Sequence, residues 1–178
     1  LLWRQNPSRI EAEAIRDAVL TVSGKLNRKR GGPGFETFDY KEAYAPIYTY
    51  ETADEPALWR RSIYRYLVRT TPDRFMTTLD CPDPANLTPT RMTTTTALQS
   101  LALYNNEFML LQARYFAERV EKEVGDDPEK QVTRCFALAF GRDPSPEEVG
   151  VAREFLKAEG LFLFCRSLFN ANEFVYVD

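Results

Sequence analysis

The residues best suited to chemistry are two carboxylates three positions apart, Asp80 and Asp83, in the run Asp80-Cys81-Pro82-Asp83-Pro84. Paired carboxylates can cleave a glycosidic bond without histidine when a cleft holds them roughly 5–9.5 Å apart. With backbone carbonyls, the same pair could hold Ca²⁺. A plainer use competes with both: each carboxylate accepts backbone amides in a proline-directed turn, and the sequence favours this structural use. Arg91, Gln99 and Asn105 lie beside apolar helical positions nearby. Buried polar groups of this kind must be hydrogen-bonded and often pin a loop onto a helix. Arg91 is therefore expected to pair with Asp80 or Asp83 and close the loop between them.

Other chemistries lack their parts. The chain has no histidine and no Ser-x-x-Lys pair, so a nucleophile with its own activating base is not expected. Its cysteines, Cys81, Cys135 and Cys165, form no Cys-x-x-Cys, and no zinc-site spacing can be completed. Cys135 and Cys165 read as buried small side chains, with a disulfide between them as the alternative in an oxidising compartment. Gly31-Gly32-Pro33-Gly34 lacks the lysine and spacing of a phosphate-binding loop. The basic run Lys25, Arg28, Lys29 and Arg30 reads as a solvated loop, or as a contact for phosphate, sulfate or an acidic partner. Tyr40, Tyr44, Tyr48, Tyr50 and Trp59 could stack on sugar rings, although packing is the commoner use of aromatics at this density. A net charge of −3 gives no field for nucleic acid, and no apolar run approaches the roughly 20 residues of a membrane span. No catalytic residue, metal site or cofactor is assigned to these residues.

The elements that would position these groups are mainly α-helical. With 178 residues, 44% of them hydrophobic and 28% charged, the chain suffices for one globular domain. Ser8 with Glu11 forms a capping-box pattern, predicting a helix over 8–23 that ends at Gly24. Residues 25–56 read as irregular with a short edge strand, and 59–70 read as a strand. Residues 71–95, rich in proline and threonine, read as a long ordered loop, a type often functional or tightly packed. Thr96 with Gln99 predicts a helix over 97–104. Further helices follow over 106–124, from Pro128 to Gly141, from Pro146 to about 158, and over 161–172. One domain thus spans 1–178, with 8–70, 71–95 and a bundle over 96–178 as its parts.

Several strings recur in the order known from one family: RIEAEAIRDAVLTVSGKL (9–26), RRSIYRYLVRT (60–70), LDCPDP (79–84), TTTTALQSLALYNNEF (93–108), FALAFGRDPSPEE (136–148) and LFNANEFVYVD (168–178). On these the chain resembles the planctomycete PSD domain, a domain of unknown function at the C-terminal end of large planctomycete proteins. The resemblance implies an extracytoplasmic, multi-domain parent, with a cytochrome c-like haem domain upstream and a setting of polysaccharide breakdown. It supplies no catalytic residues, and any haem would lie outside this chain. It also implies a longer connector than Glu159-Gly160 between the last two helices, so a segment is expected to be missing there. The start at Leu1-Leu2-Trp3-Arg4 reads as mid-sequence. The expected function is a non-catalytic structural or interaction module whose partners are other domains of the same chain, surface-assembly proteins or polysaccharide. The alternatives are part of a polysaccharide-binding or -degrading enzyme, and a support domain for a haem carried elsewhere.

Overall fold

Short-range capping signals account for most of the helical half. The computed structural model describes residues 7–52 and 54–177, and the chain is mainly α. The helices are α1 (Ala12–Val22), α2 (Arg74–Thr78), α3 (Ala97–Asn105), α4 (Glu107–Val124), α5 (Pro128–Ala139), α6 (Pro146–Phe169) and α7 (Asn172–Val175). Thr96 Oγ1 accepts from the Gln99 amide while the Gln99 side chain accepts from the Thr96 amide, so the capping box that opens α3 is complete. Ser145 and Glu148 do the same for α6, and Asp127 caps α5 with Pro128 in its first turn. Asn106 caps α4, which ends at Gly125.

The Ser8–Glu11 box does not form. Ser8–Arg9 is instead a short strand, β1, antiparallel to β4 (Tyr176–Val177), and Ile10 N donates to Val175 O. Pairing the two ends of the described chain satisfies backbone that a longer α1 would have drawn into its first turn. Helix α1 begins after Glu11, whose side chain caps nothing.

The Tyr-rich stretch is a hairpin of β2 (Phe38–Lys41) and β3 (Ile47–Tyr50), with Tyr40 opposite Tyr48. The strand expected over 59–70 is absent. Two 3₁₀ turns, Pro56–Trp59 and Ser62–Tyr64, occupy this part of the chain, joined elsewhere by single bridges of Arg60 to Asn27 and Arg65 to Phe35. The physical reason is Arg16 on α1. Its guanidinium takes the carbonyls of Leu58 (2.7 Å) and Arg60 (2.9 Å), standing where a partner strand would donate.

The expected loop over 71–95 contains α2, capped by Asp73, and is irregular on either side of it. The core joins α1, α4, α5 and α6 around Ile15, Phe116, Val120, Val132, Cys135 and Phe169, with the Phe116 and Phe169 rings 5.4 Å apart. Helix α6 breaks at Gly160, whose φ of 84° and ψ of 169° only glycine adopts readily. Nine residues of unbroken helix span about 13 Å, yet the rings of Phe155 and Phe164 lie 6.0 Å apart. Gly160 alone makes the turn between the two segments that the sequence separates.

Candidate functional site

Asp80 follows α2 with a φ of 61°, a left-handed conformation that aspartate tolerates better than most residues. This turn aims its carboxylate inward. Oδ2 accepts from Arg9 Nη2 (2.5 Å), Thr94 N (2.7 Å) and Gln99 Nε2 (3.1 Å), and Oδ1 accepts from Thr94 Oγ1 (2.9 Å). Arg9 Nη2 also donates to Leu79 O at 3.2 Å. Burial pushes the Asp80 carboxyl up, but the Thr94 amide and hydroxyl, Arg9 and Gln99 together outweigh it and hold the group below the ordinary carboxylate value. The carboxylate ties β1, the end of α2, the threonine run and α3 into one point.

Of the sequence candidates, then, Asp80 and Gln99 meet. The others do not join them. Asp83 is exposed and accepts from Ala85 N (2.9 Å) and Asn86 Nδ2 (2.6 Å), closing its own turn. Arg91 pairs with neither aspartate. It donates to both carboxylate oxygens of Glu13 (2.9 and 3.2 Å) and lies 3.2 Å from Glu11. Its half-exposed side chain meets the acidic start of α1, while Arg9, 5% exposed, holds the inner position at Asp80. Asn105, at the far end of α3, accepts from Arg166 Nη2 at 2.8 Å, and that guanidinium stacks on Tyr104. Arg9 escaped sequence reasoning because the pattern that suggested a cap placed it inside a helix.

The cysteines stay clear of this point. Burial and the nearby Glu13 carboxylate raise the Cys81 thiol to about 11, so it is neutral at physiological pH. Cys135 and Cys165 are free, fully buried and 3.8 Å apart, Sγ to Sγ. A c-type haem does not fit these residues: its attachment needs two cysteines one turn apart followed by histidine, and the chain supplies neither. Among the described residues no three Cys, Asp or Glu side chains converge to hold a metal, and no helix is long and apolar enough to cross a membrane.

A second feature was not foreseen as a unit. Between the β2–β3 hairpin and helices α1, α2 and α4 lies a cavity of about 520 Å³. Tyr48 and Tyr50 come from the hairpin, Trp59 from the first 3₁₀ turn, Phe75 from α2 and Phe108 from α4. The Arg65–Asp73 ion pair (2.6 Å) also lines it, and Tyr50 Oη is fixed by donation to Thr71 O at 2.7 Å. Arg16 lies between the rings of Phe35 and Phe108, 5.2 and 5.4 Å from their centres. Tyr40 and Tyr44, by contrast, face solvent. Of the basic run, Lys25 sits over the Tyr115 ring at 3.7 Å, while Arg28, Lys29 and Arg30 are exposed. The adjoining glycine loop is held by Arg60, which donates to Pro33 O and Gly31 O. Trp59, Arg65, Asp73 and Phe108 are far apart in sequence, and only the N-cap pattern of Asp73 is visible locally.

A search of curated proteins and a search of solved structures each found no match. The family model described as PSD1, a protein of unknown function (DUF1553), matches residues 1–156. That stretch includes β1, the Asp80 lock, every residue of the cavity wall and most of the first segment of α6. The chain belongs to the PSD1 (DUF1553) family.

Proposed function

We propose that this domain is a non-catalytic structural and interaction module of a larger extracytoplasmic protein. Asp80 supports this reading most directly. A carboxylate that accepts from Arg9, the Thr94 amide and hydroxyl, and Gln99 has its lone pairs committed to holding the loop. A general acid or base needs an oxygen within reach of substrate. Any haem or catalytic base of the parent protein then sits in another domain, and the partners of this one are its neighbours in the same chain. Lysine-directed crosslinking of the full-length protein tests the interaction role. Crosslinks from Lys25, Lys29 or Lys41 to segments outside residues 1–178 are expected. Crosslinks confined to residues 1–178 would remove it.

The extracytoplasmic setting carries its own prediction. In an oxidising compartment the Cys135 and Cys165 thiols are expected to lose two protons and two electrons to a disulfide oxidant during folding. The sulfurs then close to about 2.05 Å. Thiol titration of the unfolded native protein should find Cys81 alone reactive. Three reactive thiols in protein recovered from its own cells would argue for a reducing compartment.

A second reading, binding of polysaccharide, is favoured by one observation: the cavity walled by Tyr48, Tyr50, Trp59, Phe75 and Phe108.

A further inference from the structure

We propose that the cavity under the β2–β3 hairpin is a binding site for a neutral polyhydroxylated ring, one sugar unit of a glycan. The inference rests on the second reading, polysaccharide binding, and names the ligand unit that this surface takes. Its volume of about 520 Å³ falls within the range of roughly 300–1,000 Å³ usual for small-molecule sites. Aromatic side chains from separate elements line it, and aromatic rings supply apolar surface suited to the C–H face of a sugar.

Charge decides between an ion and a neutral ligand. Arg16, Arg65 and Arg74 line the cavity, and so do Glu51, Asp73 and Glu107. Three cations and three carboxylates cancel, leaving no net field to draw in an anion or a cation. Hydroxyl groups, which donate and accept at once, suit such mixed walls, and Thr37, Thr49, Thr52 and Thr71 add four more hydroxyls to them.

Thr37 Oγ1 is buried with no hydrogen bond among the described residues. Buried polar groups are ordinarily satisfied, and a ring bearing several hydroxyls offers it both an acceptor and a donor. A purine would use the aromatic walls as well, but it would leave the threonine hydroxyls with few partners.

Saturation-transfer NMR on the 178-residue chain tests this with methyl glycosides of glucose, galactose, mannose and xylose. Galacturonate and adenosine serve as charged and heterocyclic controls. Transfer to the ring protons of at least one neutral glycoside is expected, with millimolar affinity. Tyr48→Ala should weaken it about tenfold, while Tyr44→Ala, at the exposed hairpin turn, leaves it unchanged. If Tyr48→Ala loses its circular dichroism, Tyr48→Leu, which keeps apolar volume without a stacking face, replaces it. Transfer to galacturonate or adenosine alone would overturn the proposal. So would transfer to no neutral glycoside, or equal weakening by the Tyr44 and Tyr48 variants. None of these results bears on the crosslinks, so the two readings stand or fall separately.

Discussion

Asp80→Ala is expected to lower the unfolding free energy by about 3–5 kcal/mol, the cost of stripping one partner from a buried charge pair. Arg9 and Asp80 are 5% and 19% exposed in their side chains, so water cannot readily take over for the lost carboxylate. The Arg9 guanidinium would lose its counter-charge, and the Thr94 and Gln99 amides would lose an acceptor. Asp80→Asn should fall between, because asparagine keeps the left-handed turn and one acceptor oxygen but drops the charge. The double variant Asp80→Ala/Arg9→Met should recover part of the loss, since no buried charge then remains unpaired. Urea unfolding with an unchanged m-value measures each. The pH dependence follows in sign. The folded carboxyl is held below its ordinary value. Its contribution is therefore complete above about pH 4, the unfolded value, and is lost as pH falls through the folded value. In Asp80→Ala this acid-side component should disappear. A variant within about 0.5 kcal/mol of the parent would show that the lock contributes nothing.

How much of this was legible in the sequence depended on the range of the interaction. Asp127-Pro128 and Ser145-Pro146-Glu147-Glu148 open helices because donor, acceptor and φ restraint lie within four residues. Thr96 and Gln99 did so too, although Gln99 also reaches Asp80, which no local rule contains. Ser8 and Glu11 carry the same local signal and lost it to β4 at the far end of the described chain. Arg91 shows how charge alone misleads. The sequence supplied an arginine and two aspartates near each other, but the choice of partner depended on α1 presenting Glu13 and on β1 delivering Arg9 from 71 residues away. The stretch 59–70 has the alternation of a strand, yet the carbonyl of Arg60, and that of Leu58 just before the stretch, accept from a side chain of α1. The cavity belongs to the same class, since its walls come from a hairpin, a 3₁₀ turn and three helices whose juxtaposition is purely tertiary.

The second large effect concerns that side chain. Arg16→Met is expected to cost about 2–5 kcal/mol, because it leaves buried acceptors unpaired as well as removing a charge. Arg16 is 6% exposed and donates to Leu58 O, Arg60 O and Ser62 Oγ at 2.7, 2.9 and 3.3 Å. Burial lowers its pKa to about 10, with Asp17 and Asp73 working against the shift, so the group is charged at neutral pH. Arg16→Lys should rescue little, since one ammonium cannot span acceptors on both sides of the segment as a planar fork does. A local readout separates this role from general core damage. The amides of Asn27, Phe35 and Tyr66 are held by Trp59 O, Tyr64 O and Phe35 O, contacts that depend on residues 58–65 keeping their place. In Arg16→Met these amides should exchange hydrogen much faster, while those of α5 change only as far as global stability falls. Unchanged protection at Phe35 and Tyr66 would sink the account. Because Arg16 and Trp59 also line the cavity, the same variant should weaken glycoside binding. The residue that replaces a missing strand would then also be the one that keeps the site open.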